Sequence, residues 1–386
     1  MIEDFKKNKG VFMKNIAVFY GGKSVEHDIS VITGLQAMKN LSKTYNVIPI
    51  YIKSDGTFMT GKNLIESQTY LDFDNKVLKS RNISFVLGKP QIMVLKNDKV
   101  KKIIDIDCAL LCNHGHGGED GSLQGLCELC NMPYTSCSVA SSVLCMDKCL
   151  TKLVLKSEKI PTPIYEYFDI SEYKAQKIEI LKSIKDNIGF PCIIKPATLG
   201  SSVGINICED ESSIEKFVQQ AFVYDNKVLV EKYIEKAREF CCAVLKIDNK
   251  MFASNVQEIK KGKIYTFQDK YIYQKEREQN ELSKSIEEKI KKFAKLSYKS
   301  LECDGVARID FLYDEKQNKL YVNEINSIPG SLAFNLFSSS FNDLLNTLIN
   351  EAISRNESKK EICYQFSSEA IEKFISMTDH LKYKMN

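Results

Sequence analysis

An α/β fold is predicted by three stretches of the sequence. NIAVFY at residues 15–20 is an apolar run that stops abruptly at GGKSVEHDIS, continues as a helical pattern through ITGLQAMKNL, and returns as the strand NVIPIYI. This β-loop-α-β succession opens a doubly wound parallel sheet, in which ligands bind beyond the carboxyl ends of the strands. IDCALLCNHGHGGEDGSLQGL repeats the order of strand, Gly-rich loop and helix. Residues 305–337 then read as two alternating strands around the polar turn DEKQNK, a hairpin. A chain of 386 residues is too long for one simple core and suits two or three subdomains.

Composition narrows the function classes. With 44% hydrophobic and 27% charged residues the chain has the balance of a soluble globular protein. Its net charge is only +4, and lysines alternate with glutamates throughout, so nothing marks a nucleic-acid partner. No apolar run approaches the roughly 18–20 residues of a membrane span, and no secretory signal is visible. A cytoplasmic protein without membrane or nucleic-acid partners is expected. The 13 cysteines are then reduced thiols filling the core, Cys127 and Cys130 of the CxxC pair included, because both fall on one apolar helix face.

Taken in order, the first loop contains GGKS but is not a phosphate loop: the glycine which that motif requires earlier falls at Ala17, inside the strand. The loop does place Glu26 and His27 at a helix entrance, a good position for a substrate contact. Residues 55–104 show weak turn-and-strand alternation. His114 and His116 sit in the next Gly-rich loop without a third metal ligand, so ligand contact or capping is expected of them, with the following helix capped near Asp120 or Ser122. Residues 138–159 read as one long helix carrying Met146-Asp147-Lys148, broken by IPTP. PCIIKPATLGSSVGINIC follows: a strand ending in Lys195, a loop with Gly200, Ser201, Ser202 and Gly204, and a return strand. Backbone N–H groups of such a loop can cover phosphate oxygens, with lysine as a point charge beside them; an ordinary turn is the plain alternative. Residues 284–301 form an amphipathic helix leading into the hairpin, and FNDLLNTLINEAISR a final core helix.

If the hairpin is centred on Gln317, Asp310 lies opposite Glu324 and Arg308 opposite Asn326, all on one face. Opposed side chains have Cβ atoms roughly 4.5–5.5 Å apart. Two carboxylates at that spacing repel unless a cation lies between them, and Asp, Glu and Asn are the hard oxygen ligands that Mg²⁺ takes together with phosphates. A solvated charged face is the bland alternative. The NSIPGS segment ends the strand and presents Gly330, whose N–H can approach a ligand closely.

The motifs GGKSVEHDIS, HGHGGEDGSLQG, MDK, IIKPATLGSSVG, LVEKYI, DKY, ARIDF and NEINSIPG, in this order over residues 15–350, resemble the D-alanine–D-alanine ligase family of the ATP-grasp superfamily. The resemblance implies an ATP-grasp fold with an N-terminal doubly wound substrate domain at 14–136, a central subdomain at 137–236 bearing the Gly/Ser lid, a C-terminal subdomain at 237–355, and a peripheral tail at 356–386. It implies ATP-dependent joining of two D-alanines through an acyl phosphate for peptidoglycan synthesis, with two Mg²⁺ or Mn²⁺ ions, in a homodimer.

The residue roles implied by the resemblance are these. Glu26 binds the first substrate's ammonium and forms a hydrogen-bonded set with Ser201 and Tyr271; His114 lies near that substrate's carboxylate. Lys148, Lys195 and Lys270 contact phosphates beneath Ser201 and Ser202. Glu231, Lys232 and Ile234 line the adenine pocket, Glu239 takes the ribose, and Asn323 and Glu324 complete the ATP contacts. Asp310, Glu324 and Asn326 hold metal, while Arg308 and the Gly330 N–H stabilise an oxyanion. One departure concerns the acceptor: Asn335, beside Leu336, stands where the family has a serine for the second carboxylate. A same-fold ligase with another acceptor, such as D-serine, is therefore the nearest rival, and a non-catalytic ATP-binding regulator is a third reading.

Overall fold

The computed structural model describes residues 13–71, 79–259, 282–363 and 368–383. Strand β1 (Asn15–Gly21) is buried along almost its whole length because it lies between two parallel neighbours, β2 (Asn46–Ile52) and β7 (Cys108–Leu111). A strand covered on both faces has no polar side to alternate with, which explains the continuous apolar run. Helix α1 (His27–Leu41) makes the crossover from β1 to β2. Gly34 lets it approach closely, since a Cβ there would meet the Tyr20 Cβ at 2.6 Å.

The parallel core is three strands wide. Beyond β2 the sheet continues antiparallel through β3 (Phe58–Thr60), β4 (Arg81–Val86), β5 (Gln91–Lys96) and β6 (Lys99–Asp105), giving seven strands in the order β6-β5-β4-β3-β2-β1-β7. This meander is the stretch of weak alternation; β6 (KVKKIID) is exposed at almost every position, so it offers little apolar period.

After α2 (Ser122–Leu129), the single helix expected over 138–159 is two: α3 (Val139–Met146) and α4 (Lys148–Ser157). Asp147 has extended backbone geometry and caps α4, accepting from the N–H groups of Cys149 at 2.8 Å and Leu150 at 3.1 Å. The break turns Lys148 towards the neighbouring sheet instead of along one continuous helix.

That sheet contains β8 (Tyr165–Asp169), β9 (Cys192–Pro196), β10 (Asn206–Cys208) and β11 (Lys227–Lys232), in the order β10-β9-β11-β8. Helices α5 (Ile170–Ala175), α6 (Lys177–Ser183) and α7 (Glu211–Phe222) accompany it. The last sheet, β13-β12-β15-β16 with β14 paired to β12, is formed by β12 (Arg238–Ile247), β13 (Lys250–Ala253), β14 (Gln257–Ile259), β15 (Val306–Asp314) and β16 (Lys319–Asn326). Helix α8 (Lys284–Ser300) packs on it through Ile290 and Ala294. Helix α9 (Phe341–Lys359) joins the core of the first sheet, and α10 (Ala370–Tyr383) follows.

In the β15–β16 hairpin Asp310 pairs with Glu324 and Arg308 with Asn326, as the alternation predicts. The centre is not Gln317 throughout, however. A bulge at Asn323 puts Phe311 opposite Val322 and shifts every pair nearer the turn by one residue. Twelve of the cysteines are buried thiols, including Cys127 and Cys130, and Cys363 is exposed.

Candidate active site

Three parts of the chain meet at one open cleft. Its walls include Glu26 and Gly115 from the loops after β1 and β7, Lys148 from α4, Gly200 and Ser201 from the loop after β9, and Glu324 and Asn326 from β16. These segments are far apart in sequence.

Glu26 stands at the N-terminus of α1, where the free backbone N–H groups favour an acidic side chain. Its Oε1 accepts from the Ser201 hydroxyl, so the first loop and the Gly/Ser loop are tied directly. The Gly/Ser loop turns tightly: Ser201 and Ser202 both take left-handed backbone angles, with φ of 54° and 59°. Gly200 faces Glu26 so closely that a Cβ would lie 2.9 Å from its Oε2. Lys148 is buried beneath this loop, and its Nζ donates to the Leu199 carbonyl at 2.7 Å.

His114 is not exposed to solvent in its Gly-rich loop. Its ring is held between the Thr33 hydroxyl at 2.8 Å and the Ile328 carbonyl at 2.7 Å, and burial lowers its pKa to about 4, so the ring is neutral. His116 is exposed and pairs with Asp120. Helix α2 begins after Gly121, with Asp120 accepting from the Ser122 N–H at 3.0 Å.

On the hairpin, Arg308 grips Asp310 with two hydrogen bonds of 2.7 Å, and the Asn326 amide donates to the same carboxylate at 3.3 Å. Burial pushes the Asp310 carboxyl up, against the pull of Arg308, with Glu324 opposite adding to the rise. For Glu324 burial acts upward too, but Lys148, Lys195 and Arg308 together outweigh it and hold the carboxyl below its ordinary range. Among the described residues the Glu324 carboxylate takes no hydrogen bond, although it lines the cleft. An ionised carboxylate opposite a second carboxylate, with an amide alongside, suits a hard divalent cation.

Lys195 and Glu231 are buried and ion-paired with each other, so the Glu231 carboxylate is already engaged. Asn323, the bulge residue, accepts from Lys195 at 3.4 Å. Lys232 alternates to the opposite side of β11 and donates to the Phe190 carbonyl at 3.0 Å. Ile234 is half-buried in the connector to β12, where Glu239 lies opposite Leu312 and Ile259. Lys270 and Tyr271 lie outside the described residues. Gly330 opens a turn in which Ser331, Leu332 and Ala333 are all left-handed, with φ of 48°, 52° and 52°. The Ser331 N–H bonds to Thr33 at 3.1 Å and its hydroxyl to Gln36 at 2.7 Å, holding that turn against α1. Such a run of non-glycine residues is costly and needs surrounding contacts to persist. Asn335 is exposed and donates to Gln257 at 3.3 Å. The side chain of Leu336, the other residue expected at the acceptor, lies in the core, which leaves its backbone to face a ligand.

Two residues escaped the sequence. Glu119 is buried and accepts from the N–H groups of Gly115 and Ile328, each at 2.9 Å, joining the two loops on either side of His114. Burial raises its pKa to about 7, helped by the charge of Glu26. Lys152 is fully buried and ion-paired with Glu231. An acidic residue within HGGED, and a lysine four positions after Lys148, were the only available signals.

The profile described as D-ala D-ala ligase N-terminus matches residues 15–137, and the one described as D-ala D-ala ligase C-terminus matches residues 154–350. The chain is 41% identical over 359 residues to a D-alanine--D-alanine ligase of Thermosipho melanesiensis, covering 90% of this chain and 96% of that one. A ligase of the same name from Staphylococcus haemolyticus is 34% identical, with 91% and 98% covered. Among solved structures, the D-alanine-D-alanine ligase from Coxiella burnetii superposes with a TM-score of 0.75 at 29% identity, covering 90% of this chain and 97% of that one. VanG D-Ala:D-Ser ligase from Enterococcus faecalis gives 0.74 at 27% identity, covering 88% and 99%.

Proposed function

Because the chain belongs to the D-alanine–D-alanine ligase family, we propose that its cleft joins two D-alanines at the expense of ATP. The contact between Glu26 and Ser201 carries this reading. It closes a Gly/Ser loop suited to phosphate over a carboxylate suited to an ammonium, above Lys148 and Glu324.

In the first step a carboxylate oxygen of D-alanine attacks the γ-phosphorus of ATP; the bond to the β-phosphate oxygen breaks, leaving ADP and an acyl phosphate. Glu26 holds the substrate ammonium. Lys148 and Lys195 face the phosphates as fixed positive charges, and positioning plus charge neutralisation is nearly all that phosphoryl transfer asks of a protein. Asp310, Glu324 and Asn326 are the residues that would hold Mg²⁺ or Mn²⁺, two ions in this family, and a bound divalent cation neutralises phosphate charge. In the second step the amine of another D-alanine attacks the acyl carbon, and the oxyanion is met by Arg308 and the Gly330 N–H. Collapse expels inorganic phosphate with one oxygen of the original carboxylate, the leaving phosphate takes the proton that the nitrogen sheds, and the peptide bond remains. Loop closure over the cleft excludes water, to which acyl phosphates are vulnerable. The homodimer is carried by the resemblance alone, and the cytoplasmic location by the expectation from the sequence.

A D-serine acceptor is the second reading, favoured by Asn335 in place of a serine and by the likeness to VanG. Phosphate release from ATP with D-alanine alone, then with D-serine added, separates the two. Turnover with D-alanine alone supports the first reading; turnover only with the mixture contradicts it.

A further inference from the structure

Glu231 carries two ammonium groups, one on each oxygen: Lys152 on Oε1 and Lys195 on Oε2. All three side chains are at most 5% exposed. Lys152 lies on α4 one turn after Lys148, and its Nζ also donates to the Asn323 carbonyl at 3.4 Å, while Lys195 donates to the side-chain oxygen of the same residue at 3.4 Å. Burying an ammonium costs several kcal/mol after relaxation, so a lysine with no exposure needs a compensating role. A lone Glu231–Lys195 pair would be neutral, and the charge of Lys195 would be spent within the protein. With Lys152 present the trio carries one net positive charge beside the cleft.

We propose that Lys152 is a positioning residue for ligation: it neutralises Glu231, so that Lys195 presents an uncompensated charge to the phosphates of ATP. The inference rests on the reading of Lys195 as a phosphate contact. A lysine that merely satisfied a buried carboxylate for packing would leave the same contacts, but the two roles diverge when Glu231 is removed as well.

The test uses the full chain and reads KM for Mg-ATP, KM for D-alanine, and the dissociation constant of a non-hydrolysable ATP analogue by calorimetry. Lys152→Met is expected to weaken both nucleotide constants on the order of tenfold, about 1.4 kcal/mol, while KM for D-alanine stays within about twofold. Lys152→Arg, which keeps the cation, should remain near the parent. Glu231→Gln removes the carboxylate charge, keeps the side-chain shape at the adenine pocket, and carries any loss that arises there. The double variant Lys152→Met/Glu231→Gln should bind nucleotide as tightly as Glu231→Gln alone, because Lys195 is released in both. Nucleotide affinity unchanged in Lys152→Met, or a double variant clearly weaker than Glu231→Gln, overturns the proposal. If Lys152→Met does not fold, the comparison of the double variant with Glu231→Gln decides alone: equal affinity supports the role, and weaker affinity overturns it. Lys195→Met controls the underlying reading. Unchanged ATP affinity there removes the phosphate role of Lys195, whatever Lys152 does.

Discussion

Replacing Glu119 with alanine gives a stability loss whose size depends on pH in a predictable direction. The carboxylate is 8% exposed and accepts two backbone N–H groups, from Gly115 and Ile328. Leaving both donors buried and unpaired costs about 1–3 kcal/mol each. Against this stands the carboxyl's own titration, raised by burial from 4.5 to about 7. Below about pH 4.5 it is neutral in folded and unfolded chains alike, and its full contribution is present. Between 4.5 and 7 the unfolded chain releases the proton while the folded chain keeps it, so stability falls as pH rises. At about 1.36 kcal/mol per pH unit, the wild type loses roughly 2–3 kcal/mol more than the variant between pH 5 and pH 8. Urea denaturation of both proteins should show Glu119→Ala clearly destabilised at pH 5, with the gap narrowing by about that amount at pH 8. A gap that stays constant or widens refutes the assignment of a buried, proton-holding Glu119.

Other outcomes follow from the cleft. Ser201→Ala removes the hydroxyl bonded to Glu26 and should lower kcat/KM for D-alanine on the order of tenfold, the weaker end of a charged hydrogen bond, in steady-state phosphate release. Gly200→Ala places a Cβ 2.9 Å from the Glu26 carboxylate and should act on the same parameter; an unaltered value in both would remove the loop contact from the account. Asp310→Asn and Glu324→Gln should each cost at least about 10²-fold in kcat and raise the Mg²⁺ needed for half-maximal rate, and near-normal activity in either would defeat the metal assignment. Asn335→Ser should change KM for the acceptor while leaving KM for ATP within about twofold, measured with D-alanine and D-serine side by side.

The hairpin face was legible because a strand has a period of two: once Asp310 and Glu324 fall on one side, Arg308 and Asn326 must join them. The bulge at Asn323 was not, since one extra polar residue in a strand leaves the local pattern intact. The break between α3 and α4 was hidden in a continuous helical pattern, although Asp147 is a residue type that caps helices well. Lys152 was invisible for a different reason. On an amphipathic helix a lysine ordinarily faces water, and only the arrival of Glu231 on β11 makes this one part of the interior. The meander of residues 58–105 shows a similar limit, because β6 is exposed at almost every position and its pairing rests on backbone hydrogen bonds.

The central claim is that this cleft makes an acyl phosphate from an amino-acid carboxylate. D-alanine labelled with ¹⁸O in its carboxylate tests it directly, by mass analysis of the phosphate released during turnover with ATP. One labelled oxygen in each phosphate, matched by one D-alanyl-D-alanine per ADP, is the predicted result. Phosphate carrying no label would mean that water takes the phosphoryl group, and would contradict the account.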